Sequence, residues 1–149
     1  MPGYRGHIVG GCCIYGILVV LLPLLPSVSI TTYLEWLLCA VAGALFPDVD
    51  IKSRGQKYFY YCVLCVVGVC IIQQSFVGLA VCSLGAVVPL ISRHRGMFHA
   101  WWFVFFVPMI FWLCIKNVWP HLAVPLWYDM IFFIAGAISH IVLDKKMVT

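Results

Sequence analysis

The chain is a succession of long apolar runs from which ionisable side chains are almost excluded, and that pattern points to a lipid bilayer as its solvent. The runs lie at about 8–26, 31–46, 58–72, 76–91, 98–116 and 123–143. With 64% of its residues hydrophobic and 9% charged, a chain of 149 residues lacks the polar surface to cover a soluble core. The expected fold is therefore all-α: a polytopic transmembrane bundle of about six membrane helices, forming a single domain over 1–149. A helix crosses the hydrocarbon core with roughly 20 residues. The second, third and fourth runs fall short of that, and must thin the bilayer or borrow flanking residues.

The basic residues set an orientation. Of the nine Lys and Arg, only Lys116 falls in an odd-numbered loop; Arg5, Lys52, Arg54, Lys57, Arg93, Arg95, Lys145 and Lys146 all flank the opposite ends of the runs. This asymmetry predicts that both termini are cytoplasmic in an integral protein of the inner membrane, if the source is bacterial. Trp119 and Trp127 read as interfacial anchors on the other side, where Glu35, His121 and Asp129 are also expected to sit. The first run resembles a signal sequence but is long and carries Pro23 and Pro26 near its end, so it is read as a retained span. A net charge of +4 is too small to point to nucleic acid.

All eight cysteines lie inside apolar runs, where the thiol packs as a small hydrophobe. Cys62 and Cys65 have CxxC spacing but no polar ligand nearby in sequence, which favours packing over a redox or zinc role.

The remaining polar chemistry is concentrated in short stretches at run ends that alternate to one side. His7 follows Gly3-Tyr4-Arg5-Gly6, just before the first span; alone it is equally an interfacial residue. Pro47-Asp48-Val49-Asp50 turns the chain out at the end of the second run with its two acids, which serve either as turn formers or as ligands and bases. Arg93-His94-Arg95-Gly96-Met97-Phe98-His99 precedes the fifth run, with His99 expected to begin the fifth helix. Its arginines disfavour protonated imidazoles, and neutral imidazole is the form that binds metal. The same arginines suit a phosphate, although a purely topological role is the plainer alternative. His140 and Asp144, four residues apart, share a helical face and can reach one ion or simply each other. Imidazole and carboxylate without thiolate suit zinc, with manganese or iron as alternatives, and the number of candidates allows one or two ions.

In order and spacing, Gly6-His7, Pro47-Asp48-Val49-Asp50, His94-Arg95-Gly96-Met97-Phe98-His99 and Ser139-His140…Asp144 resemble the YdjM-like family of LexA-binding, inner-membrane-associated, metal-dependent hydrolases. The resemblance covers nearly the whole chain. Where family members carry Ser or Thr around the second histidine of the block, this chain has Phe98 and Ala100. The family is similar, more distantly, to bacterial zinc-dependent phospholipase C and related zinc nucleases; His7, Asp48 and His140-x-x-x-Asp144 fit that layout, which implies phosphoester hydrolysis.

The combined expectation is a membrane-embedded, metal-dependent hydrolase acting on a phosphoester of a lipid or amphiphilic substrate at the cytoplasmic interface. His7, Asp48, His99, His140 and Asp144 are the expected metal ligands. Asp50 and His94 would be further ligands, hydrogen-bond partners of ligands or proton-transfer groups, and Arg93 and Arg95 would neutralise substrate charge. The bilayer is the expected partner, with no nucleic acid and no specified protein. The rivals are a non-enzymatic metal-binding or transport protein and a regulatory protein with a structural metal.

Overall fold

A computed structural model describes residues 3–22, 28–92 and 97–146, with the side chains of Val118 and Lys146 left aside. The described chain is helical and contains no strand. Its helices are α1 (Tyr4–Leu21), α2 (Ile30–Leu45), α3 (Arg54–Ile72), α4 (Phe76–Ile91), α5 (Trp101–Val118) and α6 (Ala123–Lys146). Single 3-10 turns at Phe46–Asp50, Met97–His99 and Pro120–Leu122 complete it.

Local chemistry sets the boundaries. Ser29, Ser53 and Ser75 each accept a hydrogen bond from the backbone N–H three residues on, at 3.2, 3.1 and 3.3 Å, which starts α2, α3 and α4. Pro47 tightens the end of α2 into the Phe46–Asp50 turn. Between α3 and α4 the reversal is short: Gln74 takes a positive φ of 53°, and the Ser75 N–H reaches back to the Cys70 carbonyl at 2.9 Å.

The outer surface is apolar. Ile72 is 83% exposed and Val77 77%, and most large hydrophobic residues of α3, α4 and α5 face outward. With the main-chain groups between the helix ends largely paired within each helix, this is the surface a bilayer solvates. Four segments are long and apolar enough to cross a membrane: Tyr4–Leu21, Ile30–Asp50, Arg54–Ile72 and Pro120–Lys145; Phe76–Ile91 and Trp101–Asn117 are shorter. The fifth segment is thus shorter than its sequence run, because the 3-10 turn at Met97–His99 takes up the start. The third is longer than its run, because the Ser53 cap starts the helix in the polar residues before Tyr58.

The core joins α1, α2, α5 and α6, and its most extensive contact is between α2 and α6. There the backbones touch. A methyl group at Gly43 would overlap the Phe133 carbonyl, and one at Gly136 would overlap the Ala40 carbonyl. Small residues that let membrane helices approach this closely make up for the missing hydrophobic drive between helices in lipid. Above this contact, Trp36 stacks on Phe132 at 4.9 Å beside Ala40; below it, Val104, Ala137 and Ile141 form a second buried cluster. The α3–α4 pair, linked by the Tyr60 hydroxyl donating to the Ala86 carbonyl at 2.8 Å, meets the core chiefly through the Phe46–Asp50 turn.

Candidate metal centre

The close contact of α2 with α6 fixes the first imidazole. His140 is fully buried in α6, and its Nδ1 lies 2.7 Å from the carbonyl oxygen of Ala44 in the last turn of α2. A carbonyl only accepts, so Nδ1 carries a proton and Nε2 faces inward, with a lone pair for an ion whenever the ring is neutral. Nε2 is buried and makes no hydrogen bond among the described residues; the nearest carboxylate oxygens are Asp48 Oδ1 at 3.5 Å and Asp144 Oδ2 at 3.7 Å.

The other groups arrive from separate elements. His7, 2% exposed, stacks on His140 with ring centroids 3.7 Å apart, and its Nε2 is 3.5 Å from Asp144 Oδ1. His7 lies within α1 rather than ahead of it, because the helix begins at Tyr4. Asp48 comes from the Phe46–Asp50 turn, which Ser53 braces by donating from Oγ to the Asp48 carbonyl at 2.8 Å. His99 Nε2 stands 3.8 Å from both Asp48 Oδ1 and Asp144 Oδ2. His99 does not begin α5 as the sequence led us to expect. It ends the Met97–His99 turn, and Ala100 is the N-cap residue of α5. The extra turn lets Phe98 bury against Phe46 and Phe103 while His99 faces the acids.

Among the described residues, two groups could hold a metal ion: His7, His140 and Asp144, and Asp48, His99 and His140, with the donor atoms of each group within 4.8 Å of one another. Donors placed about 2.0–2.2 Å from one tetrahedral ion lie roughly 3.3–3.6 Å apart. The observed imidazole–carboxylate separations of 3.5 to 3.8 Å are near that spacing, and they exceed those of strong charge-assisted hydrogen bonds. Burial, followed by the neighbouring His140, holds the pKa of His99 below the ordinary imidazole value, although the surrounding carboxylates oppose that shift. A neutral His99 keeps a lone pair for an ion.

Asp50 also lies in the Phe46–Asp50 turn, where its carboxylate oxygens are buried and its charge acts on His99. Arg93, His94 and Arg95 lie outside the described residues. Asp129, expected on the outer side, is 9% exposed, buried in α6 within the electrostatic reach of Cys39 and Glu35 on α2. His121 and Glu35 are exposed. The partner that sequence reading missed is the Ala44 carbonyl. Its only trace in the sequence is the small-residue spacing of Ala40, Gly43 and Ala44 against Gly136, Ala137 and His140.

With this geometry in hand, the comparison with known families is decisive. The YdjM inner membrane protein family matches residues 1–147. The chain belongs to that family. No curated protein and no solved structure matches it significantly. Membership of the YdjM family and the apolar helices together make this a membrane protein. Its buried polar cluster is therefore a costly feature at one end of a lipid-solvated YdjM bundle.

Proposed function

We propose that this member of the YdjM family is a metal-dependent hydrolase that cleaves a phosphoester of a lipid or amphiphilic substrate at the cytoplasmic face of the membrane. The observation that carries the reading is the convergence of His7, Asp48, His99, His140 and Asp144, from four separate parts of the chain, at ligand-to-ligand spacing. Zinc suits an all-imidazole and carboxylate set. Asp144 directs Oδ1 toward His7 and Oδ2 toward His99 and His140, so it would help hold an ion beside any of the three imidazoles.

A divalent ion bound there would supply Lewis acidity to a phosphoryl oxygen and acidify water. The protein's own groups divide the remaining work. The Ala44 carbonyl, by accepting from Nδ1–H, holds His140 in the tautomer whose Nε2 lone pair could ligate an ion. Asp50, whose charge acts on His99, is assigned to proton transfer. Arg93, Arg95 and His94 are assigned to substrate charge and proton transfer on the basis of the sequence. Ion transport is the weaker reading, since the buried Trp36, Ala40 and Phe132 cluster offers no polar group to an ion.

The test is metal analysis of the detergent-purified protein, followed by a screen of phosphomonoesters, phosphodiesters and phospholipids. Stoichiometric zinc with hydrolysis that Asp144→Asn abolishes is the expected result. Bound metal with no hydrolysis of any phosphoester would replace the enzyme with a structural metal site, and absence of metal would overturn the whole reading.

A further inference from the structure

A second polar feature lies on α3, outside the metal centre. Arg54, Lys57, Tyr58 and Tyr61 line a cavity of about 270 Å³. At positions i, i+3, i+4 and i+7 they form one stripe over two turns of helix, away from the Tyr60 face that bonds to α4. Both cations sit at the helix start and both phenols lie deeper. The stripe then continues into exposed Leu64 and Cys65 and reaches Gly68, which has open space around it. From Arg54 to Tyr61 the axial rise is about 10 Å. That is comparable to the headgroup and interfacial layer of one leaflet, about 5–8 Å thick.

The cationic end is both positioned and uncompensated. Arg54 stacks its guanidinium over the Tyr4 ring of α1 at 4.5 Å, which holds it at the mouth of the groove. The Ser53 cap and the bond from Ser53 to the Asp48 carbonyl fix where α3 begins. Among the described residues, no carboxylate lines the cavity. Cations scattered around a helix end would serve orientation alone. Here two of them share one concave surface with two phenols above an apolar track, so charge and polarity change along the groove as they do along a phospholipid.

We infer that the Arg54–Lys57–Tyr58–Tyr61 groove binds the phosphate headgroup of an anionic phospholipid, with the acyl chains running along Leu64 and Gly68. Arg54 and Lys57 hold the phosphate oxygens, and the Tyr58 and Tyr61 hydroxyls meet the glycerol and ester region. The site needs neither a metal ion nor hydrolysis, so it stands independently of the proposed enzymatic reading.

The experiment is native mass spectrometry of the full chain in detergent, titrated separately with phosphatidylglycerol and phosphatidylcholine. The expected result is preferential binding of phosphatidylglycerol that weakens about thirty-fold in the double variant Arg54→Gln/Lys57→Gln. Lys116→Gln, at the opposite end of the bundle, should leave binding unchanged. Unaltered phosphatidylglycerol affinity in the double variant would overturn the inference, as would an equal loss in Lys116→Gln. Inorganic phosphate at millimolar concentration should fail to displace the lipid. Displacement would make the groove a free-anion site and overturn the lipid assignment. Because all the substituted side chains are exposed, circular dichroism of each variant should match the parent protein.

Discussion

His140 donates its Nδ1–H to the main-chain oxygen of Ala44 at 2.7 Å, so the orientation of this imidazole is set by the backbone of the helix it packs against. Ala44 lies in the last turn of α2, where carbonyls have no partner within the helix. One bond thus satisfies an orphan acceptor and selects the tautomer that leaves Nε2 facing Asp48 and Asp144.

That relationship separates folding from metal binding. Asparagine at position 140 can place its amide N–H near the position of imidazole Nδ1, but it has nothing at Nε2. His140→Asn should therefore insert and fold while its metal content, measured by inductively coupled plasma mass spectrometry, falls by about tenfold or more. Full metal content in that variant would remove His140 from the ligand set.

Metal loading should depend on pH with a defined sign. Imidazole must be neutral to ligate, so protons compete with the ion, and affinity is retained at high pH and lost as pH falls. Burial depresses the pKa of His99 from the ordinary 6.5, so its competition sets in below that value. In the metal-free protein the unfolded chain binds this proton more readily, and the His99 contribution lowers stability as pH drops through the unfolded imidazole range. Equilibrium dialysis against zinc from about pH 8 to about pH 5 should show near-constant loading until the ordinary imidazole value is passed. A loss centred well above it would show that His99 does not set the competition between protons and the ion.

The α2–α6 contact should be intolerant of a single methyl group. Gly136→Ala forces a side chain onto the Ala40 carbonyl, whereas Gly16→Ala meets nothing within 4 Å. The first should cost about 1–3 kcal/mol of stability and lower metal content, since parting the helices moves His140 away from Asp48. The second should leave both unchanged. Thermal unfolding in detergent together with metal analysis reads the pair, and equal behaviour of the two variants would refute the close contact.

The orientation expected from the basic residues is tested independently of the site. Reporter fusions after Gln74 and after Thr149 should give opposite compartments, with Thr149 cytoplasmic. The same compartment at both positions would overturn the alternating arrangement of spans.

Much of the site was legible before the fold was known. His140 and Asp144 are four residues apart, so any helix there places them together, and the alternation of apolar runs carries His7, Asp48 and His99 to the same end. The exact elements were less legible. His7 lies inside α1, and His99 precedes α5 on a 3-10 turn, because helix ends depend on caps and local packing rather than on hydropathy.

What the sequence determined by itself is the solvent and the inventory: apolar runs that only lipid can surround, and imidazoles and carboxylates confined to their ends. What only the tertiary structure decided is which faces meet. A helix that is apolar all round carries no stripe to mark its buried side, so the pairing of Gly43 with Phe133 and of Gly136 with Ala40 could not be read from periodicity. That backbone contact brings His140 to the Ala44 carbonyl, while Asp129, which the sequence placed at the interface, is buried. Lipid offers helices no hydrophobic reason to associate, so close packing of small residues selects the partners, and complementarity of that kind exists only between two surfaces.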